Sequence, residues 1–261
     1  MLPFQIQIAG ATDAGARTYN EDALRFGTLP QGWFAVLSDG AGGHSNGAVA
    51  SDIAVRIAVA ELGRQAETGP VDGQALWQVV NAAHQAINDQ QQGFSGHKRM
   101  HATLVVLWID GHSGQASWAH VGDSRLYVLR RGAVQRVTRD DSVVQQMVDA
   151  GLIPPEQARH HPQRNQLAMA LGTDDAVQAN VASPGWKLAD GDALLLCSDG
   201  WYDPLEAEQI ESMLSDARDP EGWLQAMQQQ VLQQRRPNQD NLSAIAVWAG
   251  DPGEVTRIAP L

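Results

Sequence analysis

The chain has 261 residues, 43% of them hydrophobic, enough for one domain built on a single large core. Its net charge of −12 argues against nonspecific binding to nucleic acid or to an anionic membrane. No apolar run approaches the roughly 18 residues a membrane helix needs, and the lone Cys197 cannot close an internal disulfide. These features predict a cytoplasmic protein. The start, Met1-Leu2-Pro3-Phe4-Gln5, has neither a basic cluster nor a long apolar stretch, so no signal peptide is expected. No linker, low-complexity tract or internal repeat divides residues 1–261.

In chain order, the first strong element is the apolar run Phe34-Ala35-Val36-Leu37, which reads as a buried strand ending at Asp39. Helical spacing follows from Gly47 to Leu62, with Val49, Ile53, Ile57 and Ala58 on the inner stripe. A second helix is predicted from Gln74 to about Gln91, lined by Leu76, Val79, Val80, Ala83 and Ile87. Both helices are read as core layers without chemistry. Strands are then predicted over Thr103–Ile109, Gln115–Val121 and Arg125–Arg130, with Asp110-Gly111-His112-Ser113-Gly114 and Gly122-Asp123-Ser124 as turns. The pattern reads as an antiparallel meander with Asp123 at a sheet edge. A short helix ends at Gly151, and Pro154-Pro155 opens another. The stretch 140–175 is polar, irregular and long enough to act as a flap over a site.

Ala193–Cys197 is a wholly apolar strand that runs into Asp199. Glu206–Leu214 and Pro220–Gln234 are predicted helices, the second with Trp223, Met227 and Val231 on one face, and Leu242–Trp248 is a last strand. Strands and helices do not alternate, so a doubly wound parallel sheet is disfavoured. An α+β fold, with sheets covered by helices on their outer faces, fits better.

The chemistry is concentrated in scattered aspartates. Asp22 closes Arg17-Thr18-Tyr19-Asn20-Glu21-Asp22; Asp39, Asp123 and Asp199 lie in Ser38-Asp39-Gly40, Gly122-Asp123-Ser124-Arg125 and Ser198-Asp199-Gly200; Asp240 precedes Asn241. An Asp beside Gly at a strand end holds its carboxylate over the sheet edge while the chain turns away. Each such pair alone reads as a turn. Together, converging on one edge, they would need a hard cation between them. Oxygen ligands without Cys–His partners point to Mg²⁺ or Mn²⁺. Two such ions about 3.5–4 Å apart can share a carboxylate and activate a water. Asp39 is the predicted bridge, since Gly40 also frees its carbonyl to approach a metal. Arg17 offers a bidentate fork for a phosphate. His44, at the end of Asp39-Gly40-Ala41-Gly42-Gly43-His44, has two readings: proton donor to a leaving alkoxide, or substrate contact. The glycine cluster lacks the Gly-Lys-Ser/Thr ending of a nucleotide loop. Cys197 is read as a buried small hydrophobe, and His160-His161 as packing or substrate contact.

These motifs, in this order, resemble the metal-dependent protein phosphatases, the PPM or type 2C serine/threonine family, in its bacterial form. Beyond those quoted, Ala102-Thr103, His161-Pro162 and Leu171-Gly172 fall in the expected order, and the likeness runs from about Ile8 to Trp248. The resemblance implies an α-β-β-α sandwich of two antiparallel sheets and a binuclear Mn²⁺ or Mg²⁺ centre at Asp22, Asp39, Gly40, Asp199 and Asp240. It also implies a third metal at Asp123 with Asp199 shared. Arg17 would bind the substrate phosphate, and a metal-bridging hydroxide would attack in line without a phosphoenzyme. Substrates would be phosphoserine and phosphothreonine proteins, those of a Hanks-type kinase. Three positions depart from the family pattern: Ala41, where eukaryotic members carry a general-acid His; His101, where Gly is usual; and Asp141, where His is common. Two other functions stay open on sequence: a catalytically silent phosphoprotein-binding module, and an enzyme for small phosphomonoesters.

Overall fold

A computed structural model describes residues 2–41, 45–93, 96, 99–234 and 236–252. Two antiparallel sheets pack face to face. In the first lie β1 (Ile6–Asp13), β11 (Leu242–Ala249), β10 (Asp192–Cys197), β7 (Arg125–Arg130) and β8 (Ala133–Val137), in that spatial order. The second runs β2 (Asp22–Leu29), β3 (Gly32–Ala41), β5 (Leu104–Asp110), β6 (Gln115–Val121) and β9 (Asn180–Lys187); the short β4 (His101–Ala102) pairs with the end of β3. Helices α1 (Ser45–Thr68) and α2 (Gly73–Gln90) cover the second sheet, while α5 (Asp199–Tyr202), α6 (Ala207–Asp216) and α7 (Pro220–Gln233) cover the first. This is the expected α-β-β-α sandwich.

Strand alternation explains the layers. On β10, Leu194 and Leu196 enter the space between the sheets, and Ala193, Leu195 and Cys197 face the helices. On β11, Ile245 and Val247 point inward to the other sheet, and Ala244, Ala246 and Trp248 point to α7. On β3, Ala35 and Leu37 face the other sheet, and Phe34 and Val36 face α1 and α2. Strands covered on both faces carry unbroken apolar runs, which is why these were visible in sequence. Cys197 is fully buried and unpaired, as expected, and burial pushes its thiol far up.

Two expectations need correction, and four strands were not foreseen. The meander is split: β6 pairs with β5 and β9, whereas β7 pairs with β10 and β8. Gly122-Asp123-Ser124 therefore carries the chain from one sheet to the other, with Gly122 at φ +94°. A hairpin and a sheet-to-sheet crossing need the same polar, glycine-bearing turn, so local sequence does not separate them. Asp123 still lies at a sheet edge. In α1, Val49 is 42% exposed, and the inner stripe is Ala50, Ile53, Ala54, Ala58 and Leu62. Four strands, β1, β2, β8 and β9, carry mixed half-buried patterns that the periodicity reading passed over.

Caps fix the helix starts. Asp72 Oδ1 accepts from Ala75 N–H at 2.9 Å, Ser142 Oγ from Gln145 N–H at 3.2 Å and Asp219 Oδ1 from Gly222 N–H at 2.7 Å. The 140–175 segment holds α3 (Val143–Asp149) and α4 (Pro155–Ala158), and Gly151 ends the first at φ +68° as predicted. Among the described residues no helix is long and apolar enough to cross a membrane.

The sheets are also tied by a polar knot at the end opposite the aspartate edge. The wholly buried Asp192 accepts two bonds from Arg130 (both 2.7 Å), one from Trp186 Nε1 (3.0 Å) and one from Ala189 N–H (2.9 Å). Asp192→Ala removes the shared acceptor of all four bonds and the buried partner of the Arg130 charge. Its urea unfolding free energy should fall by about 3 kcal/mol; a change below about 1 kcal/mol would show that Arg130 and the donors reach water instead.

Candidate metal centre

The antiparallel registers bring five sequence-distant aspartates to one end of the sandwich. Asp22 opens β2 and is the direct cross-strand partner of Asp39 near the end of β3. Asp199 begins α5 just beyond β10, and Asp240 stands just before β11, which runs antiparallel to β10. Asp123 occupies the crossing between β6 and β7. Asp39 feels the charges of Asp22, Asp199, Asp123 and Asp240. Burial raises its pKa well above the usual carboxylate value, and these four neighbours raise it further. Asp199 is raised in the same way, by burial and then by Asp123, Asp240, Asp203 and Asp22. Burial pushes Asp22 up to about 6, against hydrogen bonds from Ser243 and Ser198 that lower it. Asp123 is pushed up to about 7, by burial first and Asp140 next.

Polar contacts fix the backbone that carries the carboxylates, and one of them holds a carboxylate directly. Ser198 Oγ donates to Asp22 Oδ2 at 2.8 Å, from the first sheet to the second, and accepts from Ser243 N–H at 3.0 Å. Asp39 N–H donates to Thr103 Oγ1 at 2.9 Å, and Thr103 N–H returns a bond to the Asp39 carbonyl at 2.8 Å. Asn241 is a hub: its Oδ1 accepts from Glu21 N–H (2.8 Å), and its Nδ2 donates to the carbonyls of Ala14 (3.0 Å) and Tyr19 (2.9 Å). Tyr202 donates to the Asp123 carbonyl at 3.1 Å. Gly40 is there because its surroundings allow no side chain: a Cβ would strike the carbonyls of Gly47 and Glu21.

Arg17 reaches this edge, with Nη2 donating to Asp240 Oδ2 at 2.8 Å. Predicted His44, with Gly42 and Gly43, lies outside the described residues. The first two departures from the family pattern, Ala41 and His101, face one another as cross-strand partners. Asp141, the third, acts as a clamp. Its carboxylate accepts from Gly122 N–H (3.1 Å) and from Asn180 Nδ2 (2.8 and 3.1 Å), fastening the Asp123 turn to the start of the 140–175 segment. His161 Nδ1 accepts from Gln163 N–H at 3.2 Å, consistent with packing.

Sequence reasoning missed the supporting residues: Asn241, Ser198 and Thr103 as holders of the carboxylates, and Arg125. The Arg125 guanidinium makes two bonds to Asp140 (2.8 and 2.7 Å) and stacks 3.8 Å over the Tyr202 ring. Arg125 and Asp140 line a cavity of about 570 Å³ between the 140–175 segment and α5–α6, and Asp123 and Asp199 also line it.

The donor set suits hard divalent cations. Asp22 Oδ1 and Asp199 Oδ1 are buried with no hydrogen-bond partner among the described residues. Such oxygens are costly unless a cation or proton meets them. Among the described residues no three Asp, Glu, His or Cys side chains form a complete set around one point. Any ion here must complete its shell with backbone carbonyl and water oxygens, which is how Mg²⁺ and Mn²⁺ are commonly held.

Known proteins resemble this chain in sequence and in fold. The family described as Protein phosphatase 2C matches residues 9–245. The serine/threonine protein phosphatase PstP of Mycobacterium tuberculosis is 35% identical over 206 residues, 78% of this chain, but the match spans only 38% of that protein's length. Protein phosphatase PhpP of Streptococcus pneumoniae is 32% identical over 213 residues, 80% of this chain and 85% of the relative. The crystal structure of M. tuberculosis PstP superposes with a TM-score of 0.82 at 32% identity, covering 94% of this chain and 99% of that one. The PstP catalytic domain in complex with two manganese ions gives 0.76 at 31% identity, with 94% and 99% covered. The chain belongs to the protein phosphatase 2C family, the metal-dependent PPM phosphatases.

Proposed function

We propose that the chain is a metal-dependent phosphatase of phosphoserine and phosphothreonine in proteins. The observation that carries this reading is the placement of Asp22, Asp39, Asp123, Asp199 and Asp240 at one end of the sandwich, with Asp22 and Asp39 as direct cross-strand partners. Asp22, Asp39, Asp199, Asp240 and the Gly40 carbonyl would hold two Mn²⁺ or Mg²⁺ ions, with Asp39 shared between them. Asp123, with Asp199, would hold a third. When bound, two such ions polarise the phosphoryl oxygens and supply hydroxide near neutral pH for in-line attack at phosphorus.

The protein's own residues do the positioning. Arg17 stands at the rim of the carboxylates, where its planar fork can take two phosphoryl oxygens and orient the ester for attack from the metal side. Ser198, Thr103 and Asn241 fix the carboxylate-bearing backbone in advance, so little reorganisation accompanies reaction. Substrates would be phosphorylated proteins made by a Hanks-type serine/threonine kinase. The unpaired, buried Cys197 supports a reducing, cytoplasmic setting.

Phosphate release from a phosphothreonine peptide, with Mn²⁺ and then with excess chelator, tests the reading. Release that needs the metal is expected, with sugar phosphates turned over far more slowly. A folded protein that binds the peptide and Mn²⁺ but releases nothing would be a binding module instead. For the third ion, Asp123→Ala should lower activity at limiting Mn²⁺ while two-ion binding persists in calorimetry. Loss of all Mn²⁺ binding would contradict a separate third position.

A further inference from the structure

We propose that Arg17 and a divalent cation compete for Asp240 Oδ2, so that this one ion pair couples cation binding to phosphate binding. The inference rests on Asp240 as a metal ligand, the reading given above. Asp240 has one oxygen already occupied: its Oδ1 accepts from Asn241 N–H at 2.9 Å. Oδ2 is left without a main-chain partner, and the Arg17 guanidinium sits on it at 2.8 Å. A cation that takes Oδ2 meets a positive charge in contact with its own ligand.

The pair is built into the backbone. Ala16 N–H donates to the Gln239 carbonyl at 2.9 Å, and Asn241 Nδ2 grips the carbonyls of Ala14 and Tyr19 on either side of Arg17. Gly15 at φ +61° lets the loop lie against the Asp240 carbonyl, where a Cβ has no room. The two main chains are therefore fastened together, and only the Arg17 side chain is free to leave. At 53% exposure it can do so without burying an unpaired charge.

A phosphate that engages Arg17 draws the guanidinium off Oδ2 and frees it for the cation. By linkage, the cation strengthens phosphate binding by the same factor. Exposed ion pairs are weak, so the expected factor is modest, roughly two- to five-fold.

The test is a calorimetric titration of Mn²⁺ into the wild type, Arg17→Ala, Asp240→Asn and the double variant, in phosphate-free buffer at constant ionic strength. Arg17→Ala should tighten Mn²⁺ binding by about three-fold, and that gain should vanish in the Asp240→Asn background. A gain that persists there reflects only the loss of a nearby positive charge and overturns the direct competition. So does unchanged affinity in Arg17→Ala. A wild type that binds no Mn²⁺ overturns the metal assignment itself, a result distinct from either. Both side chains are at least one-third exposed, and melting curves in chelator will show that the variants fold.

Discussion

Asp39→Asn is expected to cut turnover by about a thousand-fold or more, equivalent to over 4 kcal/mol of transition-state stabilisation, while the protein stays folded. Asparagine keeps the shape of aspartate and removes its charge. The backbone of Asp39 is held by Thr103, independent of the side chain. The carboxylate is set among four others and raised by burial and by their repulsion. Without a cation, this group opposes folding near neutral pH, and its amide replacement can donate to the neighbouring carboxylates. In excess chelator the variant should therefore melt above the wild type. With Mn²⁺ the order should reverse, because a ligand that binds only the folded state stabilises the protein that holds it better. Two assays decide: phosphate release from a phosphothreonine peptide, and melting temperature with metal and with chelator. Activity near the wild-type level in a folded variant would remove Asp39 from the shared position. A variant that melts lower in chelator would mean that Asp39 is a structural residue.

Much of this site was legible in the sequence, because the aspartates sit where strands end and the chain must turn. Ser198-Asp199-Gly200 follows an apolar run that is buried on both faces, and such a run is hard to misread. Asp22 is the harder case. It opens β2, whose half-exposed pattern resembles no strong element, and only the ordered motifs from Arg17 onward drew attention to it. The supports stand inside the same motifs, but their roles were not legible. Ser198 meets Asp22 across 176 residues of chain, and Asn241 meets Glu21 across 220. A single polar residue beside a strand has no periodicity, and its partner is set by sheet register. The same limit hid the switch between sheets after β6, which needs the same turn chemistry as a hairpin. Strand β9 was obscured differently: Pro184 and Gly185 interrupt it, and it pairs with β6 through an irregular register. Val49 was misplaced because alanines line the α1 contact and leave the larger side chain outside.

The second large effect is a dependence of metal stabilisation on pH. Asp22 is raised to about 6 and Asp123 to about 7, and Asp39 and Asp199 are raised as well. The unfolded chain ionises these groups near pH 4. Below that, both states are protonated and no difference arises. As pH climbs from about 4 to about 7, the unfolded state releases its protons first, so the stability tied to Asp22 and Asp123 is lost across that window, and Asp39 and Asp199 add a loss of the same sign. A carboxylate raised as far as Asp22 accounts for on the order of 3 kcal/mol of that loss. Glu61, held low by its bond to Arg64, has the opposite sign but acts only at and below about pH 4. Mn²⁺ needs the ionised ligands and reverses the penalty, and binding releases the protons that the folded carboxylates retain. The gap between melting temperatures in Mn²⁺ and in chelator should therefore be small near about pH 5 and widen through pH 6 and 7. Calorimetry in buffers of different ionisation enthalpy should detect proton release on binding between about pH 6 and 7, where Asp22 and Asp123 titrate in the folded state. Subtracting the two melting curves at each pH cancels every group remote from the ion, Glu61 included. A flat gap across this range, with Mn²⁺ bound throughout, would mean that the aspartates are already ionised without the cation and that their convergence exacts no cost in folding.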